Sequence, residues 1–172
     1  MSASTAAVGG NFRRIDIDQY DEDRILPSSL YQPDPRAPSQ VLSDAQAKDK
    51  SVRGMVQRGD AAGALKEVLR EGEWPYGEDE VHEVKQAKAV ALATVLSILN
   101  STRSTDIPAL VGALDPTEQV TLMKYLYKAM ESLGNDPNTQ ASGNVVLGWH
   151  EKLVEIAGIA CIVKVLSDRR RV

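Results

Sequence analysis

Asp115-Pro116-Thr117-Glu118 constrains this chain more than any other four residues. An aspartate can accept hydrogen bonds from the free N–H groups of a first helical turn. Proline fits N1, where no amide hydrogen is needed, and glutamate at N3 reaches back to the cap. A helix must start there. Beyond it, Val120, Met123, Tyr127 and Met130 form one stripe and Leu122, Leu126 and Leu133 an adjacent one, with Gly134 as the stop. That pattern predicts a helix covered over a broad face.

The same punctuation recurs along the chain. Ser43 or Asp44 caps a predicted helix running to Arg58, with Gly59 as its stop; Asp60 caps the next, which Gly72 ends. Trp74-Pro75-Tyr76-Gly77 breaks the pattern before a long helix from about Glu78 to Leu99. Its first half is amphipathic through Val81, Val84, Ala87 and Ala91. Its second half, from Ala89, is apolar on nearly every side and is expected at the domain centre. A short helix from about Thr105 to Leu114 precedes the capped one. Past the turn at Asn135-Asp136-Pro137-Asn138, Val145, Trp149, Leu153 and Ile156 mark another, and Gly158 separates it from the last.

Asp106 to Leu114 aligns without gaps on Gly158 to Leu166, an offset of 52 residues. Stacked helical repeats of the armadillo and HEAT type have periods of about 40 to 47 residues. Chance likeness between two amphipathic helices accounts for the match equally well, so only the architecture is taken from it. The expected fold class is all-α: a small right-handed α-α superhelix, an armadillo-like stack of about seven helices, occupying residues 43–172.

Residues 1–42 read as an extended or disordered N-terminal arm and a linker holding Pro27, Pro33, Pro35 and Pro38. One stretch stands out. In Phe12 to Tyr20, Arg13, Ile15 and Ile17 alternate with Arg14, Asp16 and Asp18, so an extended chain carries the isoleucines on one side and the acids on the other. This is a candidate docking peptide; a solvated terminus is the other reading. Residues 24 to 42, if extended, would reach about 60 Å.

The composition excludes several functions. A formal charge of −4 provides no general field for nucleic acid. The longest uncharged stretch, Ala89 to Thr102, falls short of the roughly 20 apolar residues of a membrane span. The single cysteine, Cys161, has no disulfide partner within the chain, and no signal peptide is evident, so a cytosolic protein is expected. His82 and His150 lack Cys, His or Asp at ligand spacing, so neither metal nor cofactor is expected. No phosphate loop, nucleophile elbow or apolar carboxylate pair points to an enzyme. Arg58-Gly59-Asp60 spells an adhesive tripeptide, but a helix stop followed by a cap accounts for it. The dense cluster of Lys164 with Arg169-Arg170-Arg171 either answers a helix dipole or meets an acidic partner.

Three stretches together resemble subunit 5 of the actin-nucleating Arp2/3 complex, its roughly sixteen-kilodalton subunit. They are Phe12 to Glu22, then Leu122-Met123-Lys124-Tyr125-Leu126-Tyr127-Lys128-Ala129-Met130-Glu131, then Trp149-His150-Glu151-Lys152 running into Gly158 to Leu166. They occur in the family's order. The resemblance covers the tail motif and the region from about Ala87 onward, while residues 24 to 80 diverge. It implies a non-enzymatic scaffold subunit of the cytoplasmic actin cytoskeleton. The helical domain is expected to pack on subunit 4, and the arm to reach Arp2 and the β-propeller subunit 1. Ile15, Ile17 and Tyr20 would anchor the arm, with Phe12, Arg13, Arg14, Asp16 and Asp18 around them; Arg169 and Arg170 are further contact candidates. A free-standing armadillo-like adaptor for short peptides is the alternative.

Overall fold

The computed structural model of the protein describes residues 27–77, 81–135 and 142–172. The chain divides into two units, Met1–Leu30 and Tyr31–Val172. In the first, one helical turn is described, α1 (Pro27–Leu30). The second holds α2 (Pro38–Gln57), α3 (Ala61–Leu69), α4 (His82–Ser101), α5 (Ile107–Gly112), α6 (Pro116–Asn135), α7 (Gly143–Ala157) and α8 (Ile159–Ser167). No strand occurs among the described residues. Among its described residues the body is thus all-helical, with seven helices, as the caps and periods require.

The capping box forms in full. Asp115 Oδ1 accepts from the Thr117 and Glu118 backbone N–H groups, each at 2.8 Å, and the Asp115 N–H donates to Glu118 Oε2 at 2.9 Å. Asp60 caps α3 in the simpler way, accepting from the Gly63 N–H at 2.8 Å. The start of α2 differs from the sequence expectation. It begins at Pro38 behind Ala37, which has no side-chain cap, and not at Ser43 or Asp44. Proline's fixed φ suits N1, and the extra turn carries Val41 inward, where Val41 and Ala45 pack with Ala87 of α4 in a small second cluster.

Residues 31–42 therefore belong to the helical body rather than to an extensible linker. Arg36 pins their approach. Its guanidinium grips Asp34 at 2.6 Å and donates to the backbone carbonyls of Glu73 and Trp74 at 3.4 and 3.1 Å. The 60 Å reach expected for residues 24 to 42 shrinks accordingly. Of residues 24–42, only 24–30 precede the body, and four of those form α1.

Central placement of α4 follows from its composition. Val84, Ala87, Ala91, Val95, Leu96, Ile98 and Leu99 are buried, and the helix meets α2, α3, α6 and α7. Val81, expected on the inner stripe, precedes the first turn and stays 42% exposed. In α7 the buried stripe is Val146, Trp149 and Leu153. Val145 is only partly covered and Ile156 remains outside, which rotates the stripe relative to the sequence reading. The fully buried Trp149 donates from Nε1 to the Leu99 carbonyl.

The segment Trp74 to Gly77 is core, although its proline and glycine suggested only a break. Trp74 and Tyr76 are buried with ring centroids 5.3 Å apart. Burying side chains of this size contributes about 1.5–3 kcal/mol each. Gly77 has φ +113, outside the range L-residues readily adopt, and its carbonyl accepts from the buried ammonium of Lys88. Behind the loop lies a cavity of about 10 Å³ lined by Trp74, Tyr125, Asp49 and Thr94, among others. The Tyr125 hydroxyl and Trp74 Nε1 are both buried without a hydrogen-bond partner.

Candidate partner-binding surface

Gly158, at φ +72, lets the chain turn from α7 directly into α8. The sequence of α8, Ile-Ala-Cys-Ile-Val-Lys-Val-Leu-Ser, is apolar on nearly every side. A helix of that kind belongs in a core. The body covers one side only. Cys161 is buried, Ile162 and Val165 pack partly against the core, and α8 rests on α6 and α7.

The opposite side carries Ile159, Val163 and Leu166, which are 74%, 59% and 80% exposed. Their spacing of four and three residues places them in one row. Ile156 and Leu147 of α7 are also exposed. Isolated exposed leucines are ordinary, whereas aligned large aliphatics on consecutive elements mark an interaction surface.

Beyond α8, residues 168–172 form a strap across the body. The Gln32 N–H donates to the Arg169 carbonyl at 3.0 Å and the Gly77 N–H to the Arg171 carbonyl at 3.1 Å. From α6, Lys124 Nζ donates to Asp168 Oδ2 at 2.7 Å and to the Arg170 carbonyl at 2.8 Å. Two cations flank the Trp74 ring, Lys124 Nζ at 4.8 Å and Arg170 Cζ at 5.6 Å from its centroid. Val172 is buried.

The strap's charges do not titrate as a simple pair. Burial lowers the Lys124 ammonium and Asp168 only partly restores it. At Asp168 burial pushes upward, but bonds from Lys124, the Arg170 N–H and the Arg170 guanidinium outweigh it, holding the carboxyl down to about 2. The lysine's downward shift argues against a strong pair and the aspartate's for one. The convergence of three donors on one carboxylate decides for the ion pair.

The sequence candidates are distributed unevenly. Phe12, Arg13, Arg14, Ile15, Asp16, Ile17, Asp18 and Tyr20 lie outside the described residues. Arg169 is exposed, its carbonyl engaged by Gln32. Arg170 is drawn inward onto Asp168 at 3.2 Å and Glu71 at 3.5 Å. His82 is exposed at the start of α4, and His150 Nε2 lies 3.4 Å from the Tyr127 hydroxyl. Cys161 is buried, which raises its thiol pKa. Among the described residues no cluster of three or more His, Cys, Asp or Glu could hold a metal, and no helix is long and apolar enough to cross a membrane. The α8 row is the feature sequence reasoning missed; its signal was a short helix apolar on nearly every side.

Known proteins resemble this chain along most of its length. The family described as ARP2/3 complex 16 kDa subunit (p16-Arc) matches residues 11–172. Actin-related protein 2/3 complex subunit 5-B of Xenopus laevis is 34% identical over 167 residues, 96% of this chain and 97% of that protein. The subunit 5-like protein of Homo sapiens is 31% identical over 167 residues, with the same coverage. Subunit 5 of Saccharomyces cerevisiae is 30% identical over 164 residues, 94% of this chain and 98% of that one. The likeness therefore spans residues 24 to 80 as well, which the motifs alone had set apart as divergent.

Proposed function

Because the chain belongs to the ARP2/3 complex 16 kDa subunit family, we propose that it is a non-enzymatic scaffold subunit of that actin-nucleating assembly. Its helical body docks on subunit 4, and its N-terminal arm contacts Arp2 and subunit 1 through Ile15, Ile17 and Tyr20. It works in the cytoplasm on the actin cytoskeleton. The observation that carries this reading is the uncovered row of Ile159, Val163 and Leu166. A chain that functioned alone would leave apolar surface in water that an assembly subunit buries.

Two contacts on one chain explain how such a subunit holds a neighbour. Once the body is docked, the arm meets its own target at an effective concentration of about millimolar. Each contact can be weak while the pair is firm.

The test separates the two contacts. Val163→Asp places a charge in the α8 row without touching the core and is expected to abolish co-purification with the other subunits while circular dichroism stays unchanged. Deleting residues 1–24 should leave incorporation intact and let Arp2 wash off at lower salt. Full incorporation of Val163→Asp would sink the docking face, and undiminished Arp2 retention would sink the arm. Migration of the native protein near its own mass in lysate would point instead to a free-standing adaptor.

A further inference from the structure

Three stretches without helix meet at the strap. Its alternate carbonyls serve two of them, that of Arg169 accepting from the Gln32 N–H and that of Arg171 from the Gly77 N–H. Those two stretches also touch each other. A Cβ on Gly77 would stand 3.5 Å from the Asp34 N and 3.9 Å from Pro33 Cα, so residue 77 lies against the backbone of 33–34. Arg171 adds a side-chain hold, its Cζ 5.5 Å from the centroid of the Tyr31 ring.

We infer that residues 168–172 and 31–35 form a latch, which opens and shuts as one unit on the Trp74–Gly77 loop while α4 to α7 stay folded. Neither half has a helical ladder of its own, and each supplies partners to the other. Lifting the strap takes the acceptors from Gln32 and Gly77, and strips Lys124 of Asp168 and the Arg170 carbonyl. These losses hold the latch shut for most of the time. Helix α2 does not follow it open, because Val41 and Ala45 pack on Ala87 and Val52 is buried in the main core.

The latch sets a length. Shut, it fixes the chain from Tyr31. Open, it leaves the Arg36 clamp on the Glu73 and Trp74 carbonyls as the first hold, and residues 31–35 add about 16 Å of free chain at about 3.3 Å per residue.

Amide hydrogen exchange of the full chain, read by NMR, tests this. Gln32 and Gly77 should show protection factors within about threefold of each other, and both well below those in α4 and α6. Stopping the chain after Ser167 should speed exchange at both amides by at least about tenfold and leave α4 to α7 unchanged. With 5-fluorotryptophan, the Trp74 resonance should move, since Arg170 leaves its ring, and that of the deeply buried Trp149 should not. Lys124→Met, with the strap still present, should speed both amides together. Unrelated rates at Gln32 and Gly77 would overturn the latch. So would a Gln32 amide that keeps its protection once the strap is removed, or a truncated chain that unfolds throughout.

Discussion

Replacing Asp168 with asparagine removes the charge that holds the strap and changes little else in shape. Asp168 lies 2.7 Å from Lys124 Nζ, and the two side chains are 19% and 5% exposed. Its folded pKa of about 2 lies below the ordinary 3.8. A depressed carboxyl contributes stability that is fully present above 3.8 and is lost as pH falls through about 2. A drop of that size corresponds to about 2.4 kcal/mol by linkage. The carboxylate keeps some contact with water, so screening reduces the expected contribution to about 1–2 kcal/mol. Urea unfolding followed by tryptophan fluorescence, at pH 7, 4 and 2.5, measures it. Asp168→Asn should be less stable than wild type by about 1–2 kcal/mol at neutral pH, with the difference shrinking below about pH 4 as the carboxyl of the unfolded wild-type chain takes up a proton that the folded one still refuses. A difference that stayed constant across the whole range would refute the ion-pair account, as would no difference at pH 7.

Two further substitutions probe features of opposite sign. Asp115→Ala removes the acceptor for two N–H groups at the start of α6; denaturant melts should show a loss of about 1 kcal/mol, and no loss would mean the cap is redundant. Tyr125→Phe deletes a buried hydroxyl with no partner, so calorimetry should find stability unchanged or raised by up to about 1 kcal/mol; a clear drop in Tm would reveal that the hydroxyl is engaged in solution.

What the sequence made legible was local. The Asp115 box, the Asp60 cap and the Gly158 separation depend on residues within a few positions of one another, and each takes the form expected. The start of α2 was not legible because Pro38 brings no cap with it; what fixes that turn is Val41 packing with Ala87, 46 residues away. Trp74 looked like punctuation for the same reason, since its cover includes Lys124 and Arg170 from distant segments. The α8 row was hidden differently. Ile107 and Ile159 occupy the same place in the same pattern, and only the presence or absence of a covering helix separates core from interface. Arg170, one of four clustered cations by sequence, is set apart from Arg169 only by the fold, which brings Glu71 to it.

The strap also bears on how this body carries load. A pull on the chain upstream of Tyr31 does not reach α2 first. It meets the hydrogen bond from Gln32 to the Arg169 carbonyl, then the clamp of Arg36 on Asp34 and the Glu73 and Trp74 carbonyls. Tension entering from the arm is therefore shared among the strap, the Trp74 loop and, through Lys124, helix α6. The chain enters the body at a braced point, so such a pull would load the core as a whole rather than peel away its first helix.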